Sequence, residues 1–205
     1  LRALDLLVTR GKTLHIGVSN WAAWQISTAL GISAREALAA FACIQPMYNL
    51  AKRQAEVEIL PLAIAESLGV ISYSPLGGGL LTGKYGAGKT PDSGRLIEND
   101  MYRARYGGAS YFETADRFAA YAKQRNVHPA TLAVAWVAQH PAVTAPIIGA
   151  RNLGQLEPSL AAADLELDEA TYAELCALSA TPPPATDRTE EQIGLAYKGS
   201  TENYK

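Results

Sequence analysis

The sequence predicts an α/β fold in which parallel strands alternate with helices. Short runs rich in valine and isoleucine are each followed by a segment of helical periodicity, which is the pattern of parallel βαβ units. A polar or glycine-rich cluster directly follows each run, as expected at the carboxyl edge of a parallel sheet. About four such strands are visible in 205 residues, enough for half of a barrel or a small open sheet, since a complete barrel needs about 250 residues.

The composition excludes several functional classes. With 48% apolar and 19% charged residues, the chain is an ordinary globular protein, neither disordered nor fibrous. Its 18 basic and 20 acidic residues are mixed along the chain, so no basic stripe predicts a nucleic-acid partner. No apolar run reaches the roughly 20 residues that cross a bilayer, so no membrane partner is predicted. Two distant cysteines, Cys43 and Cys176, indicate a reduced, cytoplasmic protein rather than a disulfide scaffold.

The first part of the chain alternates regularly between helices and strands. Gly11 ends the first helix, whose apolar face includes Leu4 and Val8. Ser19 or Asn20 is the expected N-cap of the second helix. In order, the predicted elements are a helix over 1–11, a strand over 14–18, a helix over 21–30, a strand over 41–46, an amphipathic helix over 54–68 closed by Gly69, and a strand over 70–73.

A long polar and glycine-rich segment over 77–110 interrupts this rhythm. A loop of that length is usually functional or disordered, and it follows a strand end, where α/β folds place their ligands. Pro129 fits the first turn of a later helix, and Asp168 is the expected N-cap of the last one. The remaining predicted elements are helices over 112–125 and 129–139, a strand over 143–148, and helices over 153–163 and 168–178, before the chain turns polar from 181.

The four clusters after the predicted strands contain groups that suit one kind of ligand. They lie at 17–20, 45–49, 73–79 and 149–152, and in a parallel fold they face the same rim. Serine, asparagine and glutamine can hydrogen-bond a carboxamide, and Tyr73 can stack on an aromatic ring. Glycines allow a diphosphate to approach the backbone, and Arg151 offers a forked set of donors to a phosphate.

Each cluster alone also has a purely structural interpretation. Ser19 and Asn20 could only cap a helix, and the three successive glycines could form a flexible turn. Tyr73 could be a core aromatic residue, and Arg151 could be a solvated side chain. The agreement of four clusters at successive strand ends favours the functional interpretation over these alternatives.

Four sequence strings resemble the signatures of the aldo-keto reductases, in the branch shared by bacterial members and the potassium-channel beta subunits. They are IGVSNW (16–21), QPMYNL (45–50), YSPLGGGLLTGKY (73–85) and PIIGARNLGQL (146–156). The resemblance implies the C-terminal half of a (β/α)8 TIM barrel, with about four parallel strands and their helices. It defines a cofactor-binding half-barrel over 1–184 and leaves a polar tail over 185–205, in which 199–205 looks like an appended tag.

The resemblance also implies a cofactor, NADP(H), and a role for each matching residue. Ser19, Asn20 and Gln45 correspond to the residues that hold the nicotinamide carboxamide, and Tyr73 to the residue that stacks beneath the ring. Lys84 and Arg95 correspond to residues that reach the cofactor phosphates and close over them, although both could be merely solvated loop residues. The pyrophosphate path corresponds to Ser74, Pro75, Leu76, Gly77 and Gly78, and the surroundings of the adenosine 2′-phosphate to Gly149, Arg151 and Gln155.

The chain departs from the family pattern in two places. Pro158 and Ser159 stand where the family usually has an acidic residue and asparagine as acceptors for the adenine amino group, and Glu157 is an alternative acceptor one position away. The family's catalytic tetrad of Asp, Tyr, Lys and His belongs to the first half of the barrel, and no segment here matches it. We therefore name no catalytic residue and assign no catalytic role to Asp5, Tyr48 or Tyr73. We interpret the three histidines as structural or solvated; they are His15, His128 and His140.

The resemblance leaves three functional hypotheses. The first is an intact NADPH-dependent reductase of aldehydes and ketones, acting on a small carbonyl substrate, of which this chain is the cofactor half. Because residue 1 is leucine, we expect an N-terminal half that supplies the tetrad. The second is a non-catalytic, cofactor-sensing binding protein similar to the channel beta subunits. The third is a half-barrel that forms a homo-oligomer to cover its strand edges.

Overall fold

The computed structural model describes residues 1–186 and confirms the predicted fold class. Four parallel strands form one sheet in the order β1-β2-β3-β4, as in part of a (β/α)8 barrel. The strands are β1 (Ile16–Ser19), β2 (Phe41–Gln45), β3 (Gly69–Tyr73) and β4 (Ala145–Ile147). The predicted tail lies outside the described residues except for 185 and 186.

Nine α-helices cover the described part of the chain on either side of and between the strands. They are α1 (Arg2–Thr9), α2 (Ala23–Glu36), α3 (Ile59–Ala65), α4 (Arg95–Glu98), α5 (Asp100–Tyr106), α6 (Ala109–Gln124), α7 (Pro129–Gln139), α8 (Leu153–Leu160) and α9 (Glu169–Cys176). Short 3₁₀ turns occur at Gln54–Glu56, Gly77–Thr82 and Ala161–Asp164. None of these described helices has the length and apolar character needed to cross a membrane.

Three predictions of local structure were wrong. The predicted helix over 54–68 is a 3₁₀ turn followed by the shorter helix α3, and Gly69 begins β3 instead of closing a helix. Segment 77–110 is not a loop, because it contains a 3₁₀ turn, α4, α5 and the start of α6. Neither Ser19 nor Asn20 caps α2, whose N-cap is Ala22; its N–H donates to Gln25 Oε1 at 2.9 Å.

Two predictions of helix starts are confirmed. Pro129 occupies the first turn of α7, where its missing N–H costs no helical hydrogen bond. Asp168 is the N-cap of α9, and its side chain accepts from the N–H of Thr171 at 2.7 Å. This bond to the helix N-terminus lowers the pKa of the Asp168 carboxyl group, because it favours the charged form.

Helix α7 is the centre of the main hydrophobic core. All eight residues from 130 to 137 are buried, and Trp136 is fully buried. The Trp136 ring lies 5.1 Å from the ring of Tyr48 and stacks 5.8 Å from that of Tyr172, measured between centroids. This packing joins the segment after β2 to helix α9, so the core connects parts of the chain that are distant in sequence.

Buried tyrosines make the fold sensitive to alkaline pH. Burial raises the pKa of Tyr106 to about 12 and that of Tyr172 to about 12, from an ordinary value of 10.0. Burial, together with donation to Glu56, also raises the pKa of Tyr48. Between pH 10 and 12 the unfolded chain therefore loses protons that the folded chain keeps, which favours unfolding as pH rises.

We expect the free energy of unfolding, measured by urea titration, to fall between pH 9 and pH 11. Each such tyrosine contributes about 1 kcal/mol to this loss. In Tyr106→Phe the loss should be smaller by that amount, because phenylalanine has no proton to release. An identical loss in Tyr106→Phe and the unsubstituted protein would contradict the assignment to Tyr106.

Candidate functional site

The carboxyl ends of the four strands bring the predicted nicotinamide-binding residues to one edge of the sheet. Ser19 pairs with Gln45 across β1 and β2, and its Oγ donates to the Gln45 carbonyl oxygen at 2.9 Å. Met47 bridges to Tyr73, which pairs in turn with Ile147 on β4. The side chains at these strand ends therefore lie next to one another, as the parallel arrangement requires.

Asn20 and Tyr73 are joined directly at this edge. The Tyr73 hydroxyl donates to Asn20 Oδ1 at 2.7 Å, across two strands of the sheet. Asn20 has a φ of 60°, in the left-handed region that asparagine tolerates better than most residues. The turn after β1 thus carries the Asn20 amide group to the Tyr73 ring.

A cavity of about 690 Å³ extends from Tyr73 to the N-terminus of α8, which is within the size range of small-molecule sites. A second cavity of about 270 Å³ shares Tyr73 and is lined also by Asn20 and Gln45. Ser19 and Gly77 line neither cavity: Ser19 lies beside Gln45, and Gly77 is buried in the 3₁₀ turn after β3. The other predicted residues all line the large cavity: Ser74, Pro75, Leu76, Gly78, Lys84, Arg95, Gly149, Arg151 and Gln155.

The charge of the large cavity suits an anionic ligand. Its lining includes three cationic side chains, those of Lys84, Arg95 and Arg151. Among the residues that the structure describes, no aspartate or glutamate lines it. Three separate cations around one cavity provide the donors that a ligand with several phosphates needs.

The glycine turn after β3 is shaped by backbone conformation and by a tyrosine. Gly77, Gly78 and Gly79 have φ values of 58°, 68° and 100°, in the region where other residues are strained. A Cβ atom on Gly78 would lie 2.6 Å from Cδ1 of Tyr102, so that ring packs directly on the turn. The N–H groups of Gly77 and Gly79 bond within the turn, to the carbonyl oxygens of Ser74 and Leu76.

Residues 84–98, which we call the strap, contribute Lys84, Ser93, Gly94 and Arg95 to the cavity wall. The Arg95 guanidinium lies 5.4 Å from the Tyr102 ring centroid, and its Nη1 donates to the Tyr102 hydroxyl at 3.3 Å. The strap is anchored by buried side chains, those of Tyr85 and Leu96, and the Leu96 N–H donates to the Tyr85 hydroxyl at 3.4 Å. The cations of the strap are thus held at the cavity by a small hydrophobic cluster of their own.

Asn49 positions the turn after β3, a role that the sequence alone did not predict for this residue. It is fully buried, and its Nδ2 donates to the Ser74 carbonyl oxygen and to the Tyr106 hydroxyl, both at 3.0 Å. Its Oδ1 accepts from the Lys52 N–H at 2.9 Å. Asn49 therefore connects the segment after β2 to the cavity turn and to α5.

The lining also contains residues that are not among the predicted cofactor-binding residues. His128 lies in the cavity wall, and its Nδ1 accepts from the N–H of Ala130 at 3.1 Å, so it caps α7. The added residues are Gly79, Thr82, Ser93, Gly94, His128, Ala130, Ile147, Ile148, Ala150, Gly154 and Pro158. Five of them lie at helix starts or on the strap, which sequence periodicity does not bring together with the strand ends: Ser93, Gly94, His128, Ala130 and Gly154.

The two residues that depart from the family pattern, Pro158 and Ser159, add no polar side chain to the cavity wall. Pro158 lines the cavity, and its carbonyl oxygen accepts from Thr131 Oγ1 at 2.6 Å. Ser159 is buried, and its Oγ has no hydrogen-bond partner in the described structure. Neither Ser159 nor Glu157 is part of the lining, so the structure does not bring the alternative acceptor Glu157 to the cavity.

The residues that were set aside as catalytic candidates have structural contacts. Asp5 Oδ1 accepts from the Ala39 N–H at 2.8 Å, and the Tyr48 hydroxyl donates to Glu56 at 2.7 Å. His140 Nδ1 accepts from the Ala142 N–H, and burial lowers the pKa of this histidine. Within residues 1–186, no three His, Cys, Asp or Glu side chains gather into a group that could hold a metal ion.

Comparison with known protein families identifies the family to which this sequence belongs. The sequence profile described as the aldo/keto reductase family matches residues 1–180. The chain belongs to the aldo/keto reductase family.

Individual members of the aldo/keto reductase family are similar over about four-fifths of this chain. An uncharacterized oxidoreductase of Bacillus subtilis, YrpG, is 34% identical over 171 residues, which are 82% of this chain and 49% of that protein. A probable voltage-gated potassium channel subunit beta of Arabidopsis thaliana is 33% identical over 80% of this chain and 51% of its own length. Human aldo-keto reductase family 7 member A3 is 35% identical over 80% of this chain and 54% of its own length. This chain therefore spans about half the length of the curated relatives it matches.

Proposed function

We propose that this chain forms the cofactor-binding half of an NADPH-dependent aldo-keto reductase that reduces aldehydes or ketones to alcohols. The observation that carries the proposal is the cationic cavity between Tyr73 and Arg151, with its glycine turn and its strap. When bound, NADPH would supply a hydride to the carbonyl carbon of the substrate. Family membership and the oxidoreductase name of the YrpG relative support this reaction class.

The lining of the cavity supports a dinucleotide that would extend from Tyr73 to the N-terminus of α8. At the sheet edge, Ser19, Asn20 and Gln45 would orient a carboxamide beside the Tyr73 ring. Further along, Lys84 and Arg95 on the strap would neutralise the diphosphate and exclude water from it. At the far end, Gly149, Arg151 and Gln155 surround the N-terminus of α8, which favours negative charge and so suits a 2′-phosphate.

Among the described residues we assign no proton donor, so the proposal gives this chain binding and orientation of the cofactor. Both cysteines are free thiols in the structure, which supports a cytoplasmic location. We propose a small carbonyl compound as substrate and neither nucleic acid nor membrane as partner. A homo-oligomer of this chain remains a prediction that size measurement in solution would test.

Fluorescence titration with NADPH and NADH tests the cofactor assignment. We expect tighter binding of NADPH, and we expect Arg151→Ala to weaken NADPH binding about tenfold to a hundredfold while NADH binding changes little. Arg10→Ala is the matched control, because it removes an exposed arginine that does not line the cavity. Equal affinity of the unsubstituted protein for both cofactors would remove the 2′-phosphate assignment.

A test of the reaction itself needs the whole reductase. The proposal expects oxidation of NADPH when a model aldehyde is added to the intact protein. Binding of NADPH without turnover of aldehydes or ketones would instead favour a cofactor-sensing role. That role is the one suggested by similarity to proteins named as channel subunits.

A further inference from the structure

Glu98 connects the strap to the opposite side of the cavity. Its Oε1 accepts from the Gly94 N–H at 3.2 Å, within the strap. Its Oε2 lies 3.6 Å from Arg151 Nη2, which belongs to the segment before α8. Both Gly94 and Arg151 line the cavity, so this carboxylate bridges two of its walls.

The position of Glu98 places a negative charge beside the cation that the proposed function assigns to the 2′-phosphate. The side chains of Glu98 and Arg151 are 49% and 64% exposed, so water competes for the ion pair and makes it easy to open. An incoming phosphate and the Glu98 carboxylate would compete for the same guanidinium. Because both groups are anions, they would also repel each other when both lie beside the Arg151 guanidinium.

We propose that Glu98 is a specificity-determining residue that weakens binding of the 2′-phosphorylated cofactor and leaves Arg151 when that phosphate binds. The inference rests on the proposed function, because it concerns the choice between NADPH and NADH at the same site. Glu98 reduces the preference for NADPH without reversing it, since the Arg151 guanidinium and the N-terminus of α8 still attract the 2′-phosphate. The bond from Gly94 to Oε1 does not involve Arg151, so the strap keeps this internal contact when the ion pair opens.

The test compares Glu98→Gln with the unsubstituted chain by fluorescence titration with NADPH and with NADH. Glutamine keeps an oxygen that can accept from the Gly94 N–H but has no charge. We expect NADPH to bind about threefold to tenfold more tightly to Glu98→Gln, with NADH nearly unchanged. The gain should shrink at 1 M salt, where the Debye length is about 3 Å.

Two further variants show whether the effect belongs to this ion pair. Glu166→Gln removes an exposed carboxylate that does not line the cavity and should leave both affinities as they are. In an Arg151→Ala background, the gain from Glu98→Gln should be smaller, because the guanidinium for which the two anions compete is gone.

The outcomes separate this inference from the proposed function. If the unsubstituted chain binds neither cofactor, both are wrong. If it prefers NADPH but Glu98→Gln leaves the ratio of the two affinities unchanged, the cofactor assignment stands and the role of Glu98 is wrong. Equal tightening of NADPH and NADH also overturns it, because that result would place the effect of Glu98 on the shared diphosphate.

Discussion

Arg53→Ala is expected to lower the free energy of unfolding by about 3 to 5 kcal/mol, the range measured when one partner of a buried ion pair is removed. The Arg53 side chain is only 9% exposed and forms two bonds of 2.8 Å to the Glu56 carboxylate. Its Nη1 donates to the Cys176 carbonyl oxygen at 2.9 Å, at the end of α9. Burial lowers the pKa of Arg53, but bonding to Glu56 and its charge outweigh burial and raise it overall.

Alanine at position 53 would leave the Glu56 carboxylate, which is 20% exposed, with the Tyr48 hydroxyl as its remaining partner in this cluster. It would also break the connection between the segment after β2 and the end of α9. Arg125→Ala is the matched control, because Arg125 pairs with Glu174 at 2.7 Å where both side chains are about half exposed. That exposed pair should contribute less than about 1 kcal/mol. If urea titrations give the same loss of free energy of unfolding for Arg53→Ala and Arg125→Ala, burial does not make the Arg53–Glu56 pair more stabilising than an exposed pair.

Gly78→Ala is expected to weaken binding of NADPH and NADH alike, by about tenfold or more, because overpacking at this turn costs about 1 to 3 kcal/mol. The added Cβ would lie 2.6 Å and 2.9 Å from two carbons of the Tyr102 ring. Displacing that ring also moves Arg95, which donates to the Tyr102 hydroxyl. Both cofactors contain the diphosphate proposed to lie at this turn, so the affinities for NADPH and for NADH should both fall.

The control for Gly78→Ala separates the steric contact from the backbone conformation. Gly88 has a φ of 76°, close to the 68° of Gly78, but a Cβ atom there would meet nothing within 4 Å. Gly88→Ala therefore introduces similar backbone strain without the contact to Tyr102. Fluorescence titration should show near-normal cofactor affinity for Gly88→Ala. If both alanine variants bind the cofactors normally, the packing of Tyr102 on Gly78 does not shape the site.

The strands and their edge could be predicted from the sequence because their signals are local. Each strand is a short run of mostly apolar residues, and its polar cluster follows it directly in the chain. The prediction of a helix over 54–68 was wrong for a reason that is local and visible in the sequence. Pro61 lacks an N–H to continue a helix from residue 57, so the α-helix begins at Ile59 and has Pro61 in its first turn.

The helices within 77–110 could not be predicted in the same way. Helix α4 has four residues and α5 has seven, too few for periodicity or intrinsic stability to reveal them. They are held by contacts among Tyr85, Leu96 and Tyr106, which come together only in the folded chain. The pairing of Glu98 with Arg151 and the place of His128 in the cavity wall depend on the same long-range packing.

The hydrogen bond between Tyr73 and Asn20 fixes which end of the Asn20 amide group would face a bound carboxamide. Because Asn20 Oδ1 already accepts the Tyr73 proton, the Asn20 amide nitrogen is the end left to donate to a ligand. The Tyr73 ring and the Asn20 amide group are thus preorganised, because their hydrogen bond fixes them relative to each other. The conformational entropy of these two side chains is therefore lost during folding and not when a ligand binds. On the proposed function, this pair would recognise the carbonyl oxygen of the carboxamide.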